Sequence, residues 1–593
     1  MSLNTVNAIF YRVVERQSGH AMLSKQAGKW TPISSSEFYR AVAGVARALQ
    51  DEGIGKGDRV AILSENRVEW AVADFATLLL GGVVVPIYCT LTSEQTAQLL
   101  NDAGVSVIFV STADQLKKFL SIKDKTQVRK AVIMDDVGGT DAASMHLLMS
   151  AGPHERDGKL NERAASIGPD DLATIIYTSG TTGTPKGAML THGNLASNVE
   201  YSLRSFPFTE EDVYVSFLPL AHVTARHVDY SCFYHGITIA YCSFLDQLPA
   251  TLLEVRPTMF VAVPRVYEKI YAQVQQKTRS GLKRAIYNWG IKVGHAHRDQ
   301  TLNDRRPSSL SWRLANILLY SQVRKGMGGR GRIFFSGGAP LGRDLGEWFA
   351  DLGIRIDEGY GLTETSPIMA LNNPQAHKLG TVGKPLENVE VKIAEDGEIL
   401  VRGPSVFKGY WNLPEETRNA FVDGWFKTGD IGALDNEGFL RVTDRKKDLL
   451  KTSGGKFIAP QPIEKALILN PMVGAAVVLG DRRKFPSVVI VPQFSILEDW
   501  AGANGIAFSS REELVANPKV RALYEGIVAD LNRRLARYEQ LKKFLLLPNE
   551  FSIADGTLTP SMKQRRHRIE ELYRRQIEEM YAEPAVAALE ARS

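Results

Sequence analysis

Between two apolar runs, Leu172-Ala173-Thr174-Ile175-Ile176 and Ala188-Met189-Leu190, stands the string Tyr177-Thr178-Ser179-Gly180-Thr181-Thr182-Gly183-Thr184-Pro185-Lys186-Gly187. It gathers three glycines, five Ser/Thr hydroxyls and one lysine. Glycine lets backbone N–H groups approach an anion, the hydroxyls donate hydrogen bonds, and the lysine adds charge. A polyphosphate is the natural guest of such a loop. A Gly/Ser/Thr-rich surface loop is the bland alternative. The ordered string, its position after an apolar strand and its agreement with distant motifs favour the phosphate reading.

Two other nucleotide signatures are excluded by their context. A Walker loop places glycine before its lysine and Ser/Thr after it, with a helix next. Here Pro185 and Gly187 flank Lys186, and a strand follows. A literal G-x-G-x-x-G occurs at Gly326-Met327-Gly328-Gly329-Arg330-Gly331. The dinucleotide motif requires a strand before it and a helix after it. Helix-like Leu314–Val323 and strand-like Arg332-Ile333-Phe334-Phe335 give the reverse order, so this match is a chance loop.

Further strings follow: Ser336-Gly337-Gly338-Ala339-Pro340, Tyr360-Gly361-Leu362-Thr363-Glu364-Thr365, Trp425-Phe426-Lys427-Thr428-Gly429-Asp430, Asp444-Arg445-Lys446-Lys447-Asp448 and Leu558-Thr559-Pro560-Ser561-Met562-Lys563. With the first loop, these six blocks resemble, in order and over nearly the whole chain, the AMP-forming adenylate ligases. That superfamily contains acyl-CoA synthetases, luciferases and peptide-synthetase adenylation domains. The resemblance implies ATP, Mg²⁺ and coenzyme A: a carboxylate attacks the α-phosphorus of ATP, pyrophosphate leaves, and a thiol then displaces AMP. Such chemistry depends on positioning and charge neutralisation.

By this resemblance Thr178, Ser179, Gly180, Thr181, Thr182, Gly183 and Lys186 form the phosphate loop, and Thr181 and Glu364 help hold Mg²⁺, a hard cation suited to oxygen. Gly338, Ala339, Pro340, Tyr360 and Gly361 flank adenine, and Thr363 meets the α-phosphate. Asp430 accepts the ribose hydroxyls beside Arg445. Lys563 is the catalytic lysine, His222 lies near the substrate carboxylate, Lys447 is the hinge, and Gly454 and Gly455 line a pantetheine tunnel. Taken singly, Asp430 reads as a turn aspartate, Tyr360 as a core tyrosine, Glu364 as a helix-start carboxylate and His222 as a structural histidine. The matched strings reverse that reading for the first three and leave His222 evenly balanced.

The elements that must position these residues follow an α/β alternation. Ser35-Ser36-Glu37 opens a helix ending near Gly53, a C-cap residue. Strand-like Arg59–Leu63, helix-like Trp70–Leu80, strand-like Val83–Tyr88, helix-like Ser93–Asn101 and strand-like Val105–Val110 follow, which predicts parallel sheets covered by helices. Beyond the hinge, helix-like Pro462–Leu469 precedes strand-like Ala475–Leu479 and Ser487–Val491. The fold class expected is α/β, a large multi-layer N-terminal domain (1–443), a hinge (444–448) and a smaller mobile α+β C-terminal domain (449–593). No internal repeat interrupts it.

Composition agrees. The 593 residues exceed one typical domain, 44% are hydrophobic and 23% charged. A formal net charge of +5 argues against a dedicated nucleic-acid binder. Three cysteines, Cys89, Cys232 and Cys242, have neither disulfide nor metal spacing and fit a cytoplasmic protein. No secretion signal is visible at Met1–Thr5. Phe75–Cys89 is too short to span a bilayer and reads as a core helix running into a buried strand.

The acid is less directly written. Phe217–His222, Val261–Tyr267 and an amphipathic insertion from about 268 to 324 resemble long-chain fatty acyl-CoA synthetases. Members of that group often carry an aromatic-acidic-arginine string after the histidine. Here Val223-Thr224-Ala225-Arg226 keeps only the arginine. A long acyl substrate implies peripheral contact with a membrane. A ligase for a medium-chain, aryl or polyketide acid, one serving a carrier-protein thiol, and a catalytically silent nucleotide- or acyl-binding protein stay open as alternatives.

Overall fold

A computed structural model of the chain describes residues 3–178, 185–453, 456–559 and 563–582. The expected alternation is present. Helix Ser35–Asp51 starts at a capping box in which Ser34 and Glu37 exchange hydrogen bonds. Strand Arg59–Leu63, helix Val68–Leu79, strand Val83–Ile87, helix Ser93–Ala103 and strand Val107–Val110 follow. The greasy stretch near Phe75 is the core helix and strand expected of it, since Phe75, Leu78 and Val84 are fully enclosed.

Two large sheets carry the first part of the chain. An eight-stranded sheet runs in parallel from Leu172–Thr178 through Val83–Ile87, Arg59–Leu63 and Val107–Val110. A nine-stranded sheet runs in parallel through Val213–Ser216, Met259–Ala262, Ile333–Ser336 and Asp357–Gly361. Both acquire antiparallel edges. Leu172–Thr178 pairs antiparallel with Lys186–Thr191, with Thr178 opposite Lys186, so the two strands flanking the Gly/Ser/Thr string lie side by side. Parallel strands need crossovers, whereas a hairpin returns directly.

A third, antiparallel sheet spans Glu390–Ile393, Glu398–Arg402, Trp425–Leu434 and Leu440–Arg445. The expectation of parallel sheets omits it. Its strands are short or half-polar, and glycines at 397, 429 and 432 break the apolar runs that make strands legible.

A separate core begins at Leu450. It joins helix Pro460–Ile468 to strands Val473–Leu479, Ser487–Pro492 and Phe544–Leu546, and it contains Leu467, Val478, Ile490 and Tyr524. Between the two cores, strand Leu440–Arg445 ends in a turn at 446–448. Lys446 is tied back to Asp396 and Glu398 at 2.6 and 2.7 Å. Lys447 is the next residue in that turn. Among the described residues no helix is long and apolar enough to cross a membrane.

The chance G-x-G-x-x-G closes helix Ser321–Gly326 and turns the chain into strand Ile333–Ser336. Gly328 has φ +94°, and a β-carbon there would lie 2.6 Å from the Leu252 carbonyl oxygen. A tight turn explains these glycines without a ligand.

Candidate active site

In parallel α/β sheets, ligands collect beyond the carboxyl ends of strands. Thr178 ends Leu172–Thr178, Gly337 follows Ile333–Ser336, Gly361 ends Asp357–Gly361, and His222 follows Val213–Ser216 by a short loop. Ser179, Gly180, Thr181, Thr182, Gly183, Gly454 and Gly455 lie outside the described residues, as does Pro560–Met562. The remaining candidates converge.

Gly338 and Ala339 are exposed, and Pro340 is half-buried. Gly338 sits at φ +79°, and the turn is pinned from below because Glu358 accepts the Leu341 N–H at 2.9 Å. Burial raises the Glu358 carboxyl to about 6, while that N–H and the charge of Lys465 pull the other way. At Gly361 a β-carbon would fall 1.7 Å from the Pro367 carbonyl oxygen, so only glycine fits.

Tyr360 donates its hydroxyl to Asp430 at 2.6 Å, and Arg445 lies 3.5 Å from the other oxygen of that carboxylate. Asp430 and Arg445 are direct partners across Trp425–Leu434 and Leu440–Arg445. Burial pushes the Asp430 carboxyl up, and Arg445 and the Tyr360 hydroxyl pull it back. Asp430 is therefore a strand residue in a three-group cluster, and the isolated turn-aspartate alternative fails.

Glu364 lies in a short 3₁₀ turn, Thr363–Thr365, and accepts the Tyr410 hydroxyl at 2.8 Å. Its second oxygen takes no hydrogen bond among the described residues. The ammonium of Lys186 lies 5.4 Å from the centre of the Tyr410 ring and pairs with Glu416. A lysine reserved for phosphates is expected to be unpaired, and Lys186 is not. Helix Pro414–Asn419 brings Glu416 to it from the far side of the Tyr410 turn. Tyr410, Glu416 and Glu358 are the residues that sequence reasoning missed. Gly409-Tyr410-Trp411 had a signal, an aromatic pair after a glycine, but nothing in the string says that it faces Glu364.

His222 caps helix Val223–His235: its Nδ1 accepts the Thr224 N–H at 3.2 Å, which leaves the ring proton on Nε2. Burial, and secondarily the charge of Lys563, lowers its pKa to about 3, so the ring is neutral at any working pH. Arg226, one turn on, does not reach the site. It is enclosed with Asp74, Tyr230 and Thr174.

Lys563 arrives from the second core. Its turn is held by Thr559 N–H donating to the Lys563 carbonyl at 2.8 Å, and by Lys563 N–H donating to the Thr559 hydroxyl at 3.0 Å. Its ammonium makes no ion pair or hydrogen bond among the described residues. Water reaches the residue, yet enough protein surrounds the ammonium to lower its pKa to about 8. Desolvation leads, Arg445 adds to it, and Asp430 and Glu364 oppose it. The units also meet where Arg279 lies 3.6 Å from Asp499.

Two family models match this chain: the AMP-binding enzyme over residues 10–411, and the AMP-binding enzyme C-terminal domain over residues 447–585. The chain belongs to the AMP-binding enzyme family. The long-chain-fatty-acid–CoA ligase FadD15 of Mycobacterium bovis is 37% identical over 561 residues, covering 93% of each chain. The peroxisomal long chain acyl-CoA synthetase 6 of Arabidopsis thaliana is 34% identical over 94% of this chain and 82% of its own. Among solved structures, ATP-bound MatB from Rhodopseudomonas palustris superposes with a TM-score of 0.71 at 25% identity, covering 96% of this chain and 99% of that one. The adenylation domain of a carboxylic acid reductase from Segniliparus rugosus reaches 0.76 at 22% identity, over 98% and 94% of the two chains, which speaks for the fold alone. The adenylate-forming α/β fold, with its large first unit and smaller second one, is thus established for this member of the family.

Proposed function

We propose that the chain is an AMP-forming long-chain-fatty-acid–CoA ligase, with domains at 1–443 and 449–593 hinged at 444–448. The fatty acid carboxylate attacks the α-phosphorus of ATP, pyrophosphate departs, and the thiol of coenzyme A then displaces AMP from the acyl-adenylate. The observation that carries this reading is Lys563. A lone ammonium from the second core faces Glu364, Asp430 and His222 of the first. Nothing structural requires a cation there, whereas a carboxylate meeting a phosphate does.

In this reading Thr178, Thr182 and Lys186 hold the terminal phosphates with the glycines of their loop. Tyr360, Gly361 and the wall Gly338-Ala339-Pro340 bracket adenine, Asp430 and Arg445 take the ribose, and Thr363 meets the α-phosphate. His222 offers Nε2–H to the acid, and Lys563 donates to carboxylate and α-phosphate as charge builds between them. Thr181 and Glu364 are the residues that would hold Mg²⁺. Glu364 fits, because one carboxylate oxygen is engaged by Tyr410 and the other accepts nothing among the described residues. One carboxylate plus substrate phosphates is an ordinary Mg²⁺ set. When bound, the ion neutralises phosphate charge. Lys447 absorbs the rotation that withdraws Lys563 and brings Gly454 and Gly455 to the pantetheine path.

The long-chain acid is supported by the names of the relatives and by the helical layer Pro264–Lys277, Gly281–Leu302 and 310–326, which stands where the amphipathic insertion is expected. Its substrate brings the enzyme to a membrane surface, and three unpaired cysteines suit the reducing cytoplasm. The test is release of pyrophosphate and AMP across saturated acids of increasing length and a set of aryl acids, with and without coenzyme A. Release that peaks on long chains, with AMP appearing only when coenzyme A is present, is expected. Turnover confined to aryl acids would replace the substrate, and no pyrophosphate with any acid would replace the function.

A further inference from the structure

Large apolar side chains in water are ordinary when scattered and informative when clustered. Leu310, Leu314, Ile317 and Leu318 fall within nine positions and are 83%, 48%, 64% and 44% exposed. They belong to one continuous helical stretch, Leu310–Ala315, a π-helical turn Asn316–Tyr320, and Ser321–Gly326. The opposite face, with Trp312, Ala315, Leu319 and Val323, is buried. It packs on helix Gly281–Leu302, where the Tyr320 hydroxyl donates to the Gly290 carbonyl at 2.7 Å. The stretch is therefore apolar on both sides, and internal packing accounts for one.

Charge narrows what covers the other side. Between Asp304 and Asp344 the chain carries eight arginines and lysines and no acidic residue. Arg305, Arg306, Arg313 and Lys325 are exposed and form no ion pair among the described residues. An apolar stripe rimmed by unneutralised cations complements one surface above others, the headgroup region of an anionic bilayer. The buried side of the stretch shares a core with Tyr267 and Phe334. It thus backs strand Ile333–Ser336, which leads into Gly337 and Gly338.

We propose that the stretch 310–326 is a membrane-docking surface, with Leu310, Leu314, Ile317 and Leu318 entering the headgroup–acyl boundary and the flanking cations meeting anionic lipid. The choice of a bilayer leans on the long-chain reading above, but the measurement does not. The full chain is sedimented with vesicles of phosphatidylcholine alone, or of phosphatidylcholine with phosphatidylglycerol. About tenfold or greater preference for the anionic vesicles is expected at low salt, collapsing at high salt. Leu314→Asp with Ile317→Asp should abolish binding while leaving the melting temperature and pyrophosphate release from a water-soluble shorter acid unchanged. Arg305→Gln with Arg306→Gln should keep weak binding and lose the preference for anionic lipid. Wild-type protein that ignores both vesicles, or a double aspartate variant that binds as wild type does, would overturn the proposal. So would a lipid-free dimer that the aspartates dissociate, since the face would then pair two copies of the chain. Absence of pyrophosphate release in the wild type would sink the ligase reading and leave the vesicle result standing.

Discussion

Arg226 and Lys563 are both cations with carboxylates nearby, and their surroundings differ at each point. The Arg226 side chain is 2% exposed and lies 2.5 Å from Asp74. It donates to the Tyr230 hydroxyl at 2.8 Å and to the Thr174 hydroxyl at 2.7 Å, and Tyr230 in turn donates to Asp74 at 2.6 Å. Burial alone would lower its pKa, yet the Asp74 charge and these hydrogen bonds leave it raised. Lys563 has carboxylates near it and none upon it, and its pKa falls. A cation whose partners are all supplied by the protein holds a fold together. One left short of partners is ready for a ligand. Guanidinium suits the first task because its planar fork meets several acceptors at once, and ammonium suits the second because it is a compact point charge with three donors on a flexible stem.

Removing one member of the satisfied cluster should have the largest effect. Asp74→Ala leaves Arg226 buried and unpaired, and loss of one partner in such a pair costs ~3–5 kcal/mol. Denaturant unfolding should show that loss, while adenylation per folded molecule changes little. Normal stability would mean that Arg226 finds another partner, and the contrast between the two cations would weaken.

Lys563→Ala should do the reverse. Loss of one preorganised donor costs ~2.7–4 kcal/mol of transition-state stabilisation, about 10²–10³ in adenylation rate. Melting should be unaltered, and supplied acyl-adenylate should still become thioester, because the proposed rotation would carry this lysine away. Equal damage to both half-reactions would place Lys563 elsewhere in the mechanism. Lys447→Pro, which fixes φ at the proposed hinge, is the complement: pyrophosphate release should persist and thioester formation should stop.

Protonation separates the two cations without mutation. Lys563 must carry its proton to donate, and its pKa is depressed, so the proton is lost as pH rises through about 8. The kcat/KM of adenylation should therefore be level below pH 8 and fall about tenfold per unit above it, since this ratio reports the free enzyme. His222, neutral above about 3, contributes no step near its ordinary value. Lys563→Arg should erase the alkaline limb, and a limb that survives it belongs to another group.

The smallest effect is expected at Lys186. Glu416 is about half exposed, with 47% of its side chain open to solvent, so the pair is screened and contributes little to stability. Glu416→Gln should barely move the melting temperature and should lower the KM for ATP a few-fold, because the lysine no longer exchanges one anion for another. A raised KM would show instead that Glu416 holds Lys186 in position.

The sequence by itself determined the order of the chemistry and most of the elements that carry it. The residues read as nucleotide-binding come in short strings whose spacing is local, as in Tyr360-Gly361-Leu362-Thr363-Glu364. The apolar runs at Arg59–Leu63 and Val83–Ile87 likewise announce buried parallel strands by composition alone. Only the tertiary structure decided the pairings between distant segments. Lys186 meets Glu416 across 230 positions, Arg226 meets Asp74 across 152, and Tyr360 meets Asp430 across 70. No local pattern encodes such contacts, because they depend on which strands neighbour one another in the sheets. The antiparallel sheet at 390–445 escaped for the same reason: its half-polar strands are defined by their partners. Lys563 is the clearest instance. A motif names it, but its lowered pKa arises only where the second core brings it among groups of the first, through partial desolvation and the charge of Arg445.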